Sequence, residues 1–321
     1  MGKGEFDLIE TLLRPLTEGT PGAFGLADDA AVVPPAGEGF DLVVTKDAMV
    51  EGVHFLPDDP ADTVGQKLMR ENLSDIAAMG AEPVGCVLAW MRPKTTDDDW
   101  LAAFIQGIAR DQAAFACPLL GGDTVSTPGP LAFSLTVFGR VPAGCALRRN
   151  GARPGDDLWV SGKLGDGRLG LALRLGEITA PDAIAAPLVE HYRRPMPRLD
   201  LGRALVRVAH ACLDVSDGLM GDLGHIRKAS GVGAELWYDA LPLSPEARTI
   251  EGARDLALAG GDDYELLFTA ASDDRERIEA VGRTLDLPVT RIGRITEGDA
   301  CRVLDRDGRA IAPAQPSWQH F

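Results

Sequence analysis

The sequence predicts a two-domain α/β protein, and three observations carry that prediction. Its 321 residues are long for one domain and comfortable for two. Apolar strand-like runs alternate with stretches of helical spacing, which is typical of sheets covered by helices. Between Arg140 and Asp157 the chain has two prolines and three glycines, which indicates a connecting segment. We therefore predict an N-terminal domain over residues 1–141 and a C-terminal α/β domain over residues 142–321.

Periodicity predicts the elements of the first half. Apolar residues at helical spacing predict helices over Glu5–Leu16 and Asp62–Met79, and another that starts near Thr96. Buried or alternating apolar runs predict strands, namely Asp41–Asp47, Val84–Met91, Pro118–Leu120 and Leu131–Gly139. Gly121 and Gly122 follow the third strand, where the lack of a side chain lets a backbone approach a ligand closely.

The second half has the same alternation. Strands are predicted over Asp157–Ser161, near Cys212, and over Gly231–Tyr238, Leu266–Thr269 and Val289–Ile295. Helices are predicted over Thr179–Tyr192, Leu199–Ala209 and Asp273–Leu285, with a further helix starting at Gly218. Asp307-Gly308 predicts a hairpin turn.

Composition and charge exclude several classes of partner. Hydrophobic residues make up 45% and charged residues 25%, as in ordinary globular proteins. The 48 acidic residues against 32 basic ones leave a net charge of −16, which repels nucleic acid and anionic membrane surfaces. We therefore exclude both as main partners. No apolar run approaches the roughly 20 residues of a membrane span, and the first residues lack a signal-peptide core.

The cysteines predict a cytoplasmic location. They are odd in number and far apart, and none forms a C-x-x-C pair: Cys86, Cys117, Cys145, Cys212 and Cys301. This distribution is typical of reduced thiols rather than of a disulfide framework or a zinc site.

One glycine motif suggests a function that its surroundings do not support. Gly165-Asp-Gly-Arg-Leu-Gly170 matches the G-x-G-x-x-G fingerprint of dinucleotide-binding proteins. That fingerprint needs an acid at the end of a second strand about 20 residues later, where this sequence predicts a helix. We therefore set aside a dinucleotide site, and the absence of G-x-x-x-x-G-K-[ST] also excludes a P-loop.

The segment Asn72–Gly80 places one acid, Asp75, among small and apolar residues. A charged side chain in such surroundings is costly unless it is paired or bound to a metal. Asp75 is therefore either an N-terminal helix residue beside a cap or a metal ligand.

Other acids in comparable surroundings favour the metal. They come from separate segments with small or apolar neighbours: Asp29, Asp47, Asp123, Asp214, Asp217 and Asp262. Each alone fits a structural role, and Asp28-Asp29 fits a solvated turn. Together, without His or Cys spacing, they suit several Mg²⁺ or Mn²⁺ ions rather than zinc or copper. Several such ions beside glycine-rich turns indicate polyphosphate chemistry.

The sequence contains no legible Ser-His-Asp or Cys-His arrangement, and we assign no general base. An acceptor that is itself a phosphate needs none, because its oxygens are largely anionic given a second pKa near ~6. His54 lies between apolar neighbours, and such a residue is more often packed than functional. The arginines of the connecting segment fit either a solvated linker or a phosphate contact.

These motifs resemble the thiamine-monophosphate kinase family, in the superfamily of aminoimidazole ribonucleotide synthetase. The resemblance runs from Gly4-Glu-Phe6 to the C-terminal tail. It rests on Asp28–Val32, Asp47–Phe55, Asn72–Ala81, Gly121–Thr124, Asp214–Leu219 and Gly261–Leu266. The Glu51–Phe55 loop together with Asn72–Gly80 is the most particular to this family.

The resemblance implies an enzyme that transfers the ATP γ-phosphate directly to thiamine monophosphate, giving thiamine diphosphate. It implies Mg²⁺ held by Asp29, Thr45, Asp47, Asp75, Asp123, Asp214 and Asp217. Lys46 can join that set only through its backbone oxygen. It implies ATP contacts from Gly122, Asp123, Arg149 and Ser216, and thiamine-phosphate contacts from His54, Asp262 and Trp318. Position 262 is Asp where some relatives carry Glu.

The resemblance also implies an aminoimidazole ribonucleotide synthetase-like fold and a homodimer whose N-terminal mixed sheets join into a barrel. Two alternatives stay open. A related ATP-dependent synthetase of the superfamily would not consume thiamine monophosphate. A non-catalytic Mg-nucleotide-binding protein would bind Mg-ATP without forming ADP.

Overall fold

The structure is a computed structural model that describes residue 24 and residues 27–29, 31–33 and 38–311. Its strands form two separate sheets, one in each half of the chain. The predicted helix Glu5–Leu16 and the predicted site residue Trp318 lie outside the described residues.

The first sheet has five strands in the order β1-β2-β5-β3-β4. They are β1 Ala31–Val33, β2 Phe40–Val50, β3 Glu82–Arg92, β4 Leu119–Ser126 and β5 Ala132–Pro142. All neighbours are antiparallel except β3 and β4, which run parallel. Helices α1 (Ala61–Ala78) and α2 (Asp98–Ala114) share an apolar core with this sheet. Asp97 caps α2 by accepting a hydrogen bond from the Asp99 backbone N–H.

The second sheet has seven strands in the order β12-β11-β8-β10-β6-β9-β7. They are β6 Asp157–Ser161, β7 Ala211–Asp214, β8 Gly233–Trp237, β9 Leu266–Ala270, β10 Val289–Thr296, β11 Cys301–Leu304 and β12 Ala310–Ile311. The helices are α3 Asp166–Arg174, α4 Asp182–Arg193, α5 Leu199–Leu205, α6 Leu219–Ser230, α7 Ala253–Ala259 and α8 Arg275–Thr284. Within the described part of the chain, none of the helices is long and apolar enough to cross a membrane.

Helix α1 lies between the two halves of the molecule. Fifteen of its eighteen residues are buried, so it has almost no solvent face. Leu68 and Leu73 belong to the core under the first sheet. Ala77, at its C-terminal end, packs with Leu201 and Leu205 of α5 in a separate apolar cluster at the junction. The element that bears Asp75 is therefore held by both halves.

Strand β4 differs from the prediction. The sequence predicts a strand that stops at the glycine pair, but β4 continues through Gly121 and Gly122 to Ser126. A Cβ at Gly122 would lie 1.8 Å from the Leu88 carbonyl oxygen, so this glycine lets β4 approach the β3 backbone. All eight residues of β4 are exposed, at the edge of the sheet.

Two other elements end several residues from the predicted position, and two helices were not predicted. Strand β2 continues three residues beyond Asp47, which therefore lies inside a strand opposite Leu135 and not at a strand end. Helix α5 ends at Leu205, well before the predicted Ala209. Helices α3 and α7 were not predicted, because each is short and rich in glycine or alanine. The predicted hairpin turn at Asp307-Gly308 is confirmed between β11 and β12.

Candidate active site

Three carboxylates from three separate segments meet at the junction of the two halves. Asp29 lies before β1, Asp75 on α1, and Asp214 at the end of β7. One oxygen from each lies within 4.8 Å of the others. Such close carboxylates repel one another unless a cation or a proton lies among them. Their hard oxygen donors suit Mg²⁺.

The position of Asp75 corrects one expectation. We expected the alternative role of Asp75 to be a helix N-terminal residue, but it lies in the last turn of α1. Its carbonyl oxygen accepts a hydrogen bond from Met79 N at 3.0 Å. The C-terminal end of a helix carries partial negative charge and disfavours an acid. The capping interpretation is therefore wrong, and Asp75 occupies an electrostatically unfavourable position.

The pKa values of the site record the crowding of acids. Burial, followed by the charges of Asp47, Asp214 and Asp29, raises the pKa of Asp75 well above its usual range. Burial and the charge of Asp29 raise the pKa of Asp214 to about 7. Burial, Asp29 and Asp217 raise the pKa of Asp47 to about 6. A cluster of perturbed acids at a junction is typical of a functional site.

Neutral polar side chains hydrogen-bond to these acidic residues, to two of them through the carboxylate and to Asp47 through its backbone. Thr45 on β2 donates its hydroxyl proton to Asp75 Oδ2 at 2.5 Å. Ser74, the neighbour of Asp75, donates to Asp214 Oδ2 at 2.7 Å. The Asp47 backbone N–H donates to Asn72 Oδ1 at 3.1 Å. Helix α1 thus contributes an acid, a hydroxyl that orients the Asp214 carboxylate and an amide oxygen that accepts from the Asp47 backbone.

Arg149 connects the N-terminal acids to the second half. It lies in a short 3-10 turn before β6. Its guanidinium pairs with Asp29, and its backbone N–H donates to Asp28 Oδ1 at 2.8 Å. Arg148 pairs with the other oxygen of Asp28. Both acidic side chains are only 2% exposed, so the expected solvated turn at Asp28-Asp29 is not observed.

The loop after β7 places Ser216 and Asp217 beside the cluster. The Ser216 carbonyl oxygen accepts from Asp262 N at 2.9 Å. The Asp217 backbone N–H donates to Asp222 Oδ2 at 3.2 Å. Burial and the charges of Asp217 and Asp214 raise the pKa of Asp222 well above its usual range. Asp222 extends the acidic group beyond the residues expected from the sequence.

Gly122 and Asp123 lie away from the cluster, and the Lys46 side chain is exposed. Gly122 and Asp123 are on the exposed edge strand β4. Across the sheet, Asp123 lies beside Ala89 of β3, which lies beside Ser134 of β5, which in turn lies beside Ala48 of β2. Three strand spacings, about 14 Å, separate Asp123 from the β2 backbone. Lys46 is exposed on β2 between Thr45 and Asp47. The described chain alone does not bring Asp123 to the other acids.

His54 and Asp262 are brought together through a residue not expected from the sequence. Lys67 on α1 donates to the His54 carbonyl oxygen at 3.3 Å and pairs with Asp262 Oδ2 at 3.2 Å. His54 Nδ1 accepts from Val50 N at 3.1 Å, so the neutral ring carries its proton on Nε2. Two of the three residues expected to contact the substrate therefore share one buried cation.

The structure supports setting aside a dinucleotide site at Gly165–Gly170. The backbone N–H groups of Gly165 and Gly167 donate to the buried carboxylate of Asp263, at 2.7 and 3.2 Å. A Cβ at Gly170 would lie 2.2 Å from the Leu188 carbonyl oxygen. The first two glycines thus bind an internal carboxylate, and the third lets α3 pack against α4.

Sequence reasoning assigned no role to several residues of this site. They are Lys67, Glu71, Asn72, Ser74, Asp222 and Tyr264. One signal was available, because Lys67, Glu71 and Asp75 follow one another at intervals of four and so share a face of α1. Nothing in the sequence identified the partner of Ser74, which lies 140 residues away.

Comparison with known proteins gives consistent matches. The models for the N-terminal and C-terminal domains of AIR synthase related proteins match residues 27–141 and 153–306. The thiamine-monophosphate kinase of Caulobacter vibrioides is 44% identical, over 98% of this chain and 90% of that protein.

Two solved structures are similar over nearly the whole chain. AaThiL complexed with AMPPCP and TMP superposes with a TM-score of 0.87 at 31% identity, covering 99% of this chain and 97% of that one. The thiamine-monophosphate kinase of Stenotrophomonas maltophilia K279a gives a TM-score of 0.80 at 43% identity, covering 96% and 98%.

Proposed function

Since the chain belongs to the thiamine-monophosphate kinase family, we propose that it transfers the γ-phosphoryl group of ATP to thiamine monophosphate, forming thiamine diphosphate and ADP. The observation that carries this proposal is the meeting of Asp29, Asp75 and Asp214 within 4.8 Å at the junction of the two halves. The AaThiL complex with AMPPCP, an ATP analogue, and TMP supports the same pair of ligands.

Mg²⁺ fits the donor set of the cluster. Asp29, Asp75 and Asp214 offer hard oxygen atoms, with Thr45 and Asp47 adjacent on β2. We propose that these five residues hold Mg²⁺, that Asp217 and Asp123 hold further ions, and that Lys46 contributes only its backbone oxygen. When bound, Mg²⁺ would neutralise the charge that develops on the phosphoryl oxygens.

The chain's own residues supply positioning rather than proton transfer. A bond forms between an oxygen of the acceptor phosphate and the γ-phosphorus, while the bond from that phosphorus to the leaving ADP oxygen breaks. The attacking oxygen is already anionic at neutral pH, given a second phosphate pKa of about 6, and no general base is needed. Holding both phosphates in line is then the main task of the protein.

We assign two further groups of residues to the two substrates. We propose that Arg149 and Ser216, with Gly122 and Asp123, contact ATP. Arg149 is half-buried beside Asp29, where its charge suits phosphate oxygens. We propose that His54, Asp262 and Trp318 contact thiamine monophosphate. The Nε2 proton of His54 suits a phosphate oxygen.

A homodimer is also part of the proposal. Strand β4 has an exposed edge with exposed apolar side chains, Leu119, Leu120 and Val125. Exposed apolar edge strands are typical of interfaces between chains. We propose that this edge contributes to a barrel formed with a second copy, bringing Gly122 and Asp123 to a site.

Two further parts of the proposal concern the domains and the location. We propose that the domain boundary falls between residues 141 and 142, at the end of β5, which is the last strand of the first sheet along the chain. We propose that the protein works in the cytoplasm, as its odd number of widely spaced cysteines suggests.

The purified protein, incubated with Mg-ATP and thiamine monophosphate, tests the proposal. Thiamine diphosphate is measured by fluorescence after oxidation, and ADP by a coupled assay. We expect equal amounts of both products. Consumption of ATP without thiamine diphosphate would favour a related synthetase, while absence of both products at every Mg²⁺ concentration would favour a binding protein.

A further inference from the structure

Lys67 is a buried cation at the boundary between the two halves. Its side chain is only 3% exposed, although lysine is rarely buried unless it is paired. Its ammonium group lies 3.2 Å from Asp262 Oδ2, 3.7 Å from Glu71 Oε1 and 3.3 Å from the His54 carbonyl oxygen. It also lies 4.0 Å from the centre of the Tyr192 ring. A lysine with so many partners is held in one position.

The partners of Lys67 come from both halves of the chain. His54 and Glu71 belong to the first half, and Asp262 and Tyr192 to the second. Burial alone would lower the pKa of Lys67, but the charges of Asp262 and Glu71 outweigh it and raise the pKa. Lys67 therefore stays charged and links two loops that are otherwise far apart in sequence.

Asp262 has a backbone conformation that needs support. Its φ is +67°, in the left-handed region that residues with a side chain seldom adopt, and Tyr264 follows with φ +51°. The Asp262 N–H is fixed by the Ser216 carbonyl oxygen at 2.9 Å, and its carboxylate by Lys67 at 3.2 Å. Conformations of this kind persist only where the surroundings hold them, and they cluster at functional sites.

Lys67 itself is separated from Asp75 along α1, although its partner Asp262 also donates a backbone hydrogen bond to Ser216. Lys67 precedes Asp75 by eight residues on α1, which corresponds to about 12 Å along the helix axis. Within the described part of the chain, Lys67 has no hydrogen bond or ion pair with Arg149 or Ser216, which are proposed to contact ATP. Loss of Lys67 should therefore disturb one end of the site more than the other.

We propose that Lys67 is a positioning residue for the phosphate acceptor, holding the His54 loop and Asp262 at the spacing that thiamine monophosphate requires. This inference rests on the proposed function and deepens it. Lys67 does not touch the reacting atoms. It acts by fixing a carbonyl group of the first half and a carboxylate of the second half relative to each other.

The test compares Lys67→Met with the wild-type protein in steady-state kinetics. We expect the KM for thiamine monophosphate to rise about tenfold or more, while the KM for ATP changes less than about twofold. Calorimetry should show weaker binding of thiamine monophosphate in the presence of Mg-AMPPCP, with unchanged binding of Mg-AMPPCP itself. Lys67→Arg, which keeps the charge, should recover part of the affinity.

Arg70→Met is the matched control. Arg70 lies on the same helix and pairs with the buried Asp111, at 2.6 Å, away from His54 and Asp262. Its loss should lower stability while leaving the ratio of the two KM values unchanged. If Lys67→Met does not fold, Lys67→Gln, which keeps a hydrogen-bond donor, serves for the same comparison.

The outcomes separate the two proposals. If the wild-type protein forms no thiamine diphosphate, the proposed function fails. If the wild type is active and the Lys67 variant changes both KM values equally, or neither, the positioning role is overturned. A double substitution adds a further criterion. Lys67→Met should raise the KM for thiamine monophosphate by a smaller factor in the Asp262→Asn protein than in the wild type, because the Lys67–Asp262 contact is already weakened there.

Discussion

Ser74 Oγ lies 2.7 Å from Asp214 Oδ2 and donates a hydrogen bond that joins helix α1 of the first half to strand β7 of the second. Both residues are buried, so the bond is shielded from water. Its acceptor is one of the three carboxylates that come together at the candidate site. The same contact therefore fixes the domain junction and orients a proposed Mg²⁺ ligand.

Substitution of Ser74 by Ala should affect both properties. The variant loses one hydrogen bond to a charged group, and we expect the free energy of unfolding to fall by about 1–3 kcal/mol. We also expect a higher Mg²⁺ concentration for half-maximal activity, because Asp214 is less well oriented. Chemical denaturation and a Mg²⁺ titration of the rate measure the two effects. An unchanged Mg²⁺ dependence would restrict Ser74 to a structural role.

Asp75→Asn should separate activity from stability. The substitution removes a proposed Mg²⁺ ligand, and we expect turnover to fall about 100-fold or more. It also removes a buried negative charge from among Asp47, Asp214 and Asp29. In the absence of metal we therefore expect equal or greater stability, by about 1 kcal/mol. Thermal unfolding in EDTA and the rate in Mg²⁺ test this. Near-normal turnover with lowered stability would assign Asp75 a structural role.

In the glycine pair of β4, Gly121 is the control for a substitution of Gly122. Gly122→Ala places a methyl group 1.8 Å from the Leu88 carbonyl oxygen, whereas a Cβ at Gly121 meets nothing within 4 Å. We expect Gly122→Ala to destabilise the protein by about 1–3 kcal/mol and Gly121→Ala to be nearly neutral. Unfolding midpoints in urea distinguish them. Equal effects would mean that β4 does not pair with β3 as described.

His225 predicts an acid-sensitive contribution to stability. Burial, followed by the charges of Arg149 and Lys228, lowers the pKa of His225 from 6.5 to about 4. Below pH 6.5 the unfolded chain therefore binds a proton that the folded protein does not. Stability from this group is present at neutral pH and decreases as the pH falls toward 4, by about 3 kcal/mol in total.

The measurement for His225 is a difference between two proteins. Unfolding free energies of the wild type and of His225→Gln are compared between pH 7 and pH 4.5. The variant should gain relative to the wild type as the pH falls, because it has no imidazole to protonate. A difference that is independent of pH in this range contradicts the prediction.

Leu120→Glu should reveal the proposed contact between copies. Leu120 is 61% exposed on the edge strand β4, while Leu175, at the end of α3, is 51% exposed on the other half of the molecule. A charge buried at an interface is costly unless it is paired, so Leu120→Glu should produce a smaller species. Light scattering after gel filtration measures the mass. Leu175→Glu should keep the wild-type mass, and equal masses for all three proteins would contradict the proposed interface.

Much of the fold could be predicted from local pattern. The sequence predicts β6 with its observed bounds, and the helix predicted over Asp62–Met79 is observed as α1 over Ala61–Ala78. These segments are long or strongly apolar, so periodicity alone identifies them. The acids Asp29, Asp75 and Asp214 were likewise recognisable, because each interrupts small or apolar neighbours.

The remainder depends on contacts that sequence spacing does not encode. The prediction of Asp75 at a helix N-terminus was wrong. Asn and Ser residues mark the start of a helix only when no helix precedes them, and here the helix begins upstream, at Ala61. Gly122 of β4 is required by the Leu88 backbone, which no local pattern could reveal. Lysine is usually exposed, so the sequence gives no sign that Lys67 is buried. Its partner Asp262 lies in a loop 195 residues later in the chain.

The burial of α1 on nearly all sides has a consequence for how the protein unfolds. Most of its apolar residues pack in the core under the first sheet, while Ala77 and Ala78 pack in the cluster shared with α5. Removing either half would leave an apolar surface on the other. We therefore expect heat to melt both halves in a single calorimetric transition, and a fragment ending after residue 141 to aggregate. The junction makes one cooperative unit from two sequence domains.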